Sequence, residues 1–268
     1  MVITVISVLA IFVTIEQMEQ IEADVQENID SSILNSSILG EQRKLLVHLP
    51  SEYDSSQTYP VMYVLDGSSQ DYRIAGILEI LNRAEIVQDM IIVGIPNTDR
   101  NRDLTPHYIF QDTDGETLGK GDEFLSFLTN EVIPFIESNY SVNQYRMLAG
   151  HSRAGLFTYY AYLEQPETFD ALFCFSPAFW RDNSIILGKA QEFYTSTRNE
   201  NPFIFMSLGT EENEKMMRAY NAMTNLLDVN MIKNVVHTFT PKANHGNNLY
   251  YSTPIALKKW ADQVHNNR

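Results

Sequence analysis

The sequence predicts an α/β protein with a mostly parallel central sheet and helices on both faces. Short, continuous apolar runs recur along the chain, for example at residues 61–65 and 90–95, and such runs are typical of strands buried on both sides. Segments with apolar residues at helical spacing, most clearly residues 121–139, lie between these runs. Strands that alternate with helices pack as a parallel sheet whose crossover helices cover both faces.

The predicted elements can be placed in order along the chain. They are strands at 45–49, 61–65, 90–95, 147–149, 172–175, 203–208 and 235–239, and helices at 72–81, 121–139, 156–161, 185–194, 216–227 and 255–264. The helix at 121–139 contains Pro134, and Pro254 is expected to open the last helix from a first-turn position. Residues 98–116 lack periodicity and are expected to form a long loop of the kind that often carries function.

The N-terminus differs in character from the rest of the chain. Residues 2–14 are apolar but too short to span a bilayer comfortably, and an acidic stretch follows them. We therefore expect residues 1–29 to form a signal-like segment, which favours a periplasmic or secreted location over a cytoplasmic one, and no stable membrane span. The remainder, residues 30–268, is expected to form a single catalytic domain.

Composition excludes several classes of function. A hydrophobic content of 44% is typical of a globular protein, and a formal charge of -15 makes nucleic acid an unfavourable partner. The single cysteine, Cys174, excludes an intrachain disulfide and a multi-cysteine metal site. An acidic stretch at 112–116 begins like a calcium-binding loop, but its glycine is misplaced and it lacks a closing glutamate, so it predicts a solvated turn.

The motif at residues 150–155, GHSRAG, follows one predicted strand and precedes a helix. Strand, tight turn and helix are the setting of a nucleophile elbow, in which a serine lies exposed above the sheet beside a helix N-terminus. Ser152 is the candidate nucleophile. The usual pattern is G-x-S-x-G, and this chain has Ala154 where the second glycine is expected, the smallest possible departure.

A candidate base and acid follow Ser152 at the ends of later strands. Glu211 and Glu212 follow the strand at 203–208, and His245 follows the last strand. The order serine, acid, histidine is that of α/β-hydrolase triads, in which the imidazole accepts the serine proton and the acid orients the imidazole. Glu212 is preferred because it stands three residues after Gly209, and Glu211 remains the alternative acid.

The other histidines fit the role of base less well. His237 lies inside a strand and is expected to pack or to face a helix, His151 belongs to the elbow itself, and His48 lies in an early strand. His107 lies in the long loop and is a candidate pocket residue. For the oxyanion hole we expect one backbone N–H from Arg153 and a second from Gly67 or Ser68, in the turn after the strand at 61–65.

Several motifs together resemble the putative-esterase (esterase D-like) family of α/β-hydrolases. The segments YPVMYVLDG at 59–67, DRNRDLTP at 99–106, GHSRAG at 150–155 and SPAFW at 176–180 match family motifs in order, and the resemblance covers about residues 30–262. It is nearest the branch of siderophore trilactone esterases of the enterobactin type.

The resemblance implies a serine carboxylesterase of α/β-hydrolase fold that forms an acyl-enzyme on Ser152, with no metal or organic cofactor. It implies Ser152, Glu212 and His245 as the triad, and a pocket shaped by Trp180 and by the loop that holds Arg100. The expected partner is a small-molecule ester, and the oligomeric state is left open. Two alternatives remain: an acyltransferase of the same fold, or a non-catalytic binding protein that retains the fold.

Overall fold

A computed structural model describes residues 29–107, 119–196 and 202–266. Its strands are β1 (Ile29–Ser36), β2 (Glu41–His48), β3 (Tyr59–Leu65), β4 (Ile91–Ile95), β5 (Val142–His151), β6 (Ala171–Phe175), β7 (Phe203–Gly209) and β8 (Val235–Thr240). Its helices are α1 (Gln70–Arg83), α2 (Arg100–Asp103), α3 (Gly121–Phe127), α4 (Ile133–Asn139), α5 (Arg153–Glu164), α6 (Arg181–Ser196), α7 (Glu214–Val229) and α8 (Asn248–Asn266).

The eight strands form one sheet in the order β1-β2-β4-β3-β5-β6-β7-β8. Strands β3 to β8 are parallel to one another, whereas β2 is antiparallel to both β1 and β4. This confirms the predicted mostly parallel sheet. The carboxyl ends of the parallel strands therefore lie along one edge, where the loops after β3, β5, β6, β7 and β8 lie next to their neighbours.

Helices cover both faces of the sheet, as predicted. On one face, α3, α5 and α7 bury side chains such as Phe124, Phe157 and Tyr220 against the sheet. On the other, α1 and α8 bury side chains that include Ile74 and Trp260. Burial of one large apolar side chain contributes roughly 1.5–3 kcal/mol to the stability of the fold. The many side chains buried in these two layers therefore stabilise the sheet and the loops at its edge.

Two helices differ in detail from the sequence-based expectation. The predicted helix at 121–139 contains a π-helical turn, Leu128–Val132, which ends two positions before Pro134. Proline lacks an N–H and its ring crowds the carbonyl four residues earlier, so a wider turn at this point relieves the clash. The last helix does not open at Pro254 but begins at Asn248, with Pro254 inside it.

The segment after β4 is more ordered than the sequence indicated. Within the predicted loop at 98–116, residues 100–103 form the short helix α2, and Asp99 caps it by accepting a hydrogen bond from the Arg102 N–H at 3.0 Å. Buried Arg43 donates to Asp103 at 2.6 Å and to the Pro96 carbonyl at 3.1 Å, which ties this segment to β2. Part of the predicted loop, the calcium-like stretch at 112–116 and nearly all of the N-terminal segment at 1–29 lie outside the described residues.

Candidate active site

Ser152 lies in the tight turn between β5 and α5. Its φ of 61° and ψ of −116° fall in a region that residues with side chains rarely adopt, which is typical of a strained functional turn. The turn brings Gly150 so close to α5 that a Cβ there would overlap the Ala154 backbone. Ala154 itself is fully buried in the core. The fold thus accommodates alanine at this position of the elbow, while Gly150 cannot be replaced without a shift.

Ser152, His245 and Glu212 are joined in one hydrogen-bonded chain. His245 Nε2 lies 2.9 Å from Ser152 Oγ, and His245 Nδ1 lies 2.9 Å from Glu212 Oε2. The three residues come from the loops after β5, β8 and β7, which are brought together because their strands end at the same edge of the sheet. The imidazole is partly exposed, whereas the Glu212 side chain has no exposed surface.

The Glu212 carboxylate is held by several donors. Burial alone would raise its pKa, but hydrogen bonds from His245 and Ser176 outweigh burial, so the pKa of Glu212 lies below its usual value of 4.5. The neighbouring Glu211 is exposed, and its backbone N–H donates to the Ala243 carbonyl at 2.8 Å. Of the two candidate acids, Glu212 is the one in contact with His245.

Three other histidines have partners of their own. His151 lies beneath the turn with its ring against His245; burial, followed by repulsion from His245, lowers the pKa of His151 to about 4. His237 Nε2 lies 3.1 Å from Asp228 of α7, so it faces a helix as expected. His48 is buried with Asp71 at 2.9 Å, on β2 and away from the Ser152 turn.

The candidate oxyanion donors are distinguished by their hydrogen bonds. The Gly67 N–H donates to the Ile95 carbonyl at 3.0 Å, so in this structure it already has an acceptor, and donation by Gly67 to an oxyanion stays a prediction. A Cβ on Gly67 would overlap the Ile95 nitrogen, which explains the glycine by close packing of the turn. Ser68, with a φ of 73°, remains the candidate in this turn. Arg153 is the first residue of α5, and the N–H groups of a first helical turn point out of the N-terminus.

Arg100, an expected pocket residue, is bound to the turn after β3, and its contact with a substrate stays a prediction. Its guanidinium forms two hydrogen bonds of 2.7 Å to the Asp66 carboxylate, and Nη2 also lies 3.4 Å from the His151 carbonyl. Asn97 donates to the same carboxylate at 2.6 Å. Because Asp66 directly precedes Gly67 and Ser68, these contacts fix the turn that carries the candidate donor. Arg100 therefore braces the turn between β3 and α1.

The two other expected pocket residues, Trp180 and His107, lie on loops. Trp180 is partly buried, and the Lys215 ammonium lies 4.1 Å from the centre of its ring. His107 Nδ1 lies 2.8 Å from Asp122 and 3.5 Å from the hydroxyl of Tyr160, which belongs to the nucleophile helix α5. Contact of either residue with a substrate remains a prediction.

Two polar residues that the sequence analysis did not select belong to the same cluster. Ser176 donates to Glu212, and Asn248 donates to Ser176 at 2.9 Å. Ser176 is the first residue of the SPAFW motif, which is the signal that could have drawn attention to it. Asn248 carries no comparable signal, because the sequence does not indicate that the last helix begins there.

Among the described residues, neither a metal-binding cluster nor a membrane-spanning helix is found. In ranges 29–107, 119–196 and 202–266, no group of three or more His, Cys, Asp or Glu side chains is arranged to hold a metal ion. Over the same ranges, no helix is long and apolar enough to cross a membrane.

The fold and this site define an α/β-hydrolase. The chain belongs to the family described as "Putative esterase", whose model matches residues 36–266. It is therefore a carboxylic ester hydrolase. The family resemblance drawn from the sequence motifs is thereby confirmed.

Three individual proteins illustrate the relationship. The chain is 30% identical over 177 residues to an uncharacterized protein, YbbA, of Bacillus subtilis, covering 63% of this chain and 69% of that protein. It is 36% identical over 143 residues to the siderophore enterobactin esterase of Emericella nidulans, covering 46% of this chain and 47% of the relative. The crystal structure of an IroE-like serine hydrolase from Shewanella oneidensis matches with a TM-score of 0.81 at 25% identity, covering 87% of this chain and 80% of that one.

Proposed function

We propose that this protein hydrolyses carboxylic esters through an acyl-enzyme on Ser152, with His245 as general base and Glu212 as the acid that orients it. The observation that carries the proposal is the unbroken hydrogen-bonded chain from Ser152 Oγ through both nitrogens of His245 to Glu212 Oε2, with both distances 2.9 Å. A serine hydroxyl is a weak nucleophile unless an adjacent base accepts its proton, and this arrangement supplies such a base.

The geometry supports a definite direction of proton transfer. Glu212 is ionised at neutral pH because its pKa is lowered, so it accepts the proton on His245 Nδ1. That leaves Nε2 with its lone pair towards Ser152 Oγ. As the Ser152 oxygen attacks the ester carbonyl, its proton passes to Nε2. The imidazolium that forms is stabilised by the Glu212 carboxylate and then protonates the departing alcohol.

The negative charge that develops on the carbonyl oxygen needs fixed donors. We assign these to the backbone N–H groups of Arg153 and Ser68, on the turns after β5 and β3. Neutral His151 beneath the site adds no competing positive charge at neutral pH. Hydrolysis is completed when a water gives its proton to His245 and attacks the acyl group, which releases the acid and restores Ser152.

The substrate class follows from the relatives as a proposal. The Emericella nidulans relative is named for enterobactin. We propose that a siderophore-type lactone is the first ester to test. Trp180 with Lys215 above its ring offers an aromatic and cationic wall beside the acid loop, which suits an aromatic acyl group that carries negative charge.

The experiment combines active-site labelling with a panel of esters. A fluorophosphonate probe labels only an activated serine, so we expect one adduct per chain, located at Ser152 by peptide mass spectrometry and absent from Ser152→Ala. Initial rates are then compared for p-nitrophenyl esters of increasing chain length, an aryl ester and a trilactone. Activity is expected to persist in a chelator. No labelling of the folded wild-type chain would contradict the proposal and favour a binding protein.

The same assay separates hydrolase from acyltransferase. Both form the acyl-enzyme, and they differ in what removes the acyl group. Product analysis in the presence of millimolar primary alcohol is expected to show mainly free acid. Predominant transfer to the alcohol, with little free acid, would replace the hydrolase proposal by the acyltransferase.

A further inference from the structure

The Glu212 carboxylate uses its two oxygens for two different partners. Oε2 faces His245 Nδ1 at 2.9 Å, and Oε1 accepts the hydroxyl of Ser176 and, at 3.5 Å, the backbone N–H of Gly209. Ser176 has no exposed surface. The orientation of the carboxylate towards the imidazole therefore depends on a hydroxyl on its other side that is shielded from water.

The contacts of Ser176 Oγ determine which partner receives its proton. An ionised carboxylate only accepts hydrogen bonds, so Ser176 must give its single proton to Glu212. Ser176 Oγ can then only accept from Asn248, 2.9 Å away, and so the Asn248 amide must present its NH₂ group to it. The second N–H of that NH₂ group donates to Ser207 Oγ at 3.0 Å.

The amide of Asn248 is itself fixed in orientation. Ser252, one turn further along α8, shares its single hydroxyl proton between two acceptors of Asn248, the backbone carbonyl at 2.5 Å and Oδ1 at 2.9 Å, and Ser252 Oγ lies 3.1 Å from Thr240 Oγ1 at the end of β8. Asn248, Ser252 and Thr240 are all buried. A buried network in which each polar group has a partner holds a single arrangement, because any flip leaves groups unpaired at a cost of about 1–3 kcal/mol each.

The segment that carries Ser176 also holds the nucleophile. The Ser152 N–H donates to the Phe175 carbonyl at 2.9 Å, and the Ala178 N–H donates to the Ser152 carbonyl at 3.0 Å. Ser176 has a φ of 44°, a left-handed conformation unusual for serine, and its N–H donates to the Ser207 carbonyl at 2.8 Å. Residues 175–178 thus link the backbone of Ser152 to the side chain of Glu212.

We propose that Ser176 and Asn248 are positioning residues for the acid: Asn248 sets the Ser176 hydroxyl as a donor, and that hydroxyl aims the second oxygen of Glu212 at His245. The inference rests on the proposed function, since it concerns the same acid. The lowered pKa of Glu212, to which the Ser176 bond contributes, agrees with this geometry.

The test compares purified Ser176→Ala, Asn248→Asp and Asn248→Ala with wild type, and Ser207→Ala serves as the control. Ser207→Ala removes an equally buried hydroxyl from the same amide but leaves Glu212 untouched. For Ser176→Ala we expect kcat to fall about tenfold to hundredfold, the loss typical of a hydrogen bond to a charged group. KM should stay within about twofold, because Ser176 is buried behind the acid and the bond does not serve substrate binding.

The pH dependence of kcat/KM distinguishes a positioning role from a loss of folding stability, because a less stable but folded enzyme keeps the same profile. Without the Ser176 hydroxyl, the Glu212 carboxylate loses a donor and stabilises positive charge on its imidazole partner more strongly, so the acidic limb of kcat/KM should shift to higher pH in Ser176→Ala and stay in place in Ser207→Ala. Asn248→Asp replaces the NH₂ group by an acceptor that competes for the Ser176 proton. It should therefore lose more kcat than the truncation Asn248→Ala, and because a buried carboxylate also destabilises the fold, both variants are compared at a temperature at which each is fully folded.

The activities of the variants distinguish the positioning role of Ser176 and Asn248 from the proposed function of Ser152. Inactive Ser152→Ala together with Ser176→Ala and Asn248→Asp that match Ser207→Ala in kcat and pH profile would overturn the positioning role alone. An active Ser152→Ala would overturn the proposed function itself. Thermal melting of each variant identifies those that fail to fold, and Ser176→Ala, the smallest change, decides the matter if the Asn248 variants do not fold.

Discussion

The ring of His151 lies directly against the ring of His245, with the centroids 4.7 Å apart and the planes tilted by 42°. The residue just before the candidate nucleophile thus packs against the candidate base. Because the two imidazoles are so close, a positive charge on one disfavours a positive charge on the other.

This contact predicts an acid-sensitive stability. Burial and the neighbouring His245 lower the pKa of His151 to about 4, below its usual value of 6.5. As pH falls below 6.5, the unfolded chain binds this proton and the folded chain does not, so stability is lost from about pH 6.5 down to about pH 4. For the interval from pH 6.5 to 5, linkage gives a loss of about 1.5 kcal/mol from this one group.

The measurement uses His151→Phe, which keeps a flat ring and cannot take a proton. Urea unfolding of wild type and variant at pH 7.5, 6.5, 5.5 and 5.0 gives two curves of unfolding free energy. All other groups titrate in both proteins, so the difference between the curves isolates His151. We expect the wild-type curve to fall more steeply below pH 6.5, and parallel curves would show that His151 titrates normally in the folded chain.

The nucleophile gives the second prediction. Ser152→Ala removes the hydroxyl that lies 2.9 Å from His245 Nε2 and changes no other described side chain. Turnover of every ester should fall by several orders of magnitude, because the whole catalytic unit acts through this oxygen. Circular dichroism and the melting temperature should remain those of wild type. A folded variant that retains more than a tenth of wild-type activity would end the assignment of Ser152.

A third prediction concerns the turn after β3. A Cβ at Gly67 would overlap the Ile95 nitrogen and lie 2.7 Å from the Gly94 carbonyl carbon, so Gly67→Ala must push the turn away from β4. The neighbouring Ser68 N–H, a proposed oxyanion donor, would move with it. A displacement near 1 Å can cost about a hundredfold in rate, and we expect kcat/KM to fall by that order, along with the melting temperature.

Gly76→Ala is the matched control for that change. Gly76 lies in α1, just beyond the same turn, and a Cβ there meets nothing within 4 Å. Alanine in a helix interior is more favourable than glycine by roughly 0.5–1 kcal/mol, so this variant should melt at or above the wild-type temperature with unchanged kcat/KM. Equal activity of Gly67→Ala and Gly76→Ala would remove the turn from the catalytic machinery.

The sequence allowed much of this architecture to be predicted, for a physical reason. Strands buried on both faces must be apolar throughout, so β3, β4, β6 and β7 appear as continuous apolar runs, and a parallel sheet brings their carboxyl ends together. That is why His245 and Ser152, 93 positions apart, could be paired from the sequence alone.

What the sequence did not reveal depends on contacts between distant polar residues. The engagement of the Gly67 N–H by Ile95, the bonding of Arg100 to Asp66, and the start of α8 at Asn248 are all decided by tertiary packing. The local sequence around these residues does not indicate which distant group each one contacts. A serine or asparagine that serves a buried network looks the same in sequence as one that faces solvent.

The last prediction separates the two neighbouring glutamates. Glu211→Gln should behave as wild type, because Glu211 is exposed and its described hydrogen bond is made by the backbone.

In Glu212→Gln, Ser176 still donates its proton, so the amide oxygen of the new side chain should face Ser176 and its NH₂ group should face His245 Nδ1. Two donors cannot share that contact, and the imidazole must carry its proton on Nε2, where it cannot accept one from Ser152. We expect a loss of about a hundredfold or more in kcat for Glu212→Gln. Steady-state kinetics of both variants check this: equal losses would mean that the two glutamates share the role, and the reverse order would transfer it to Glu211.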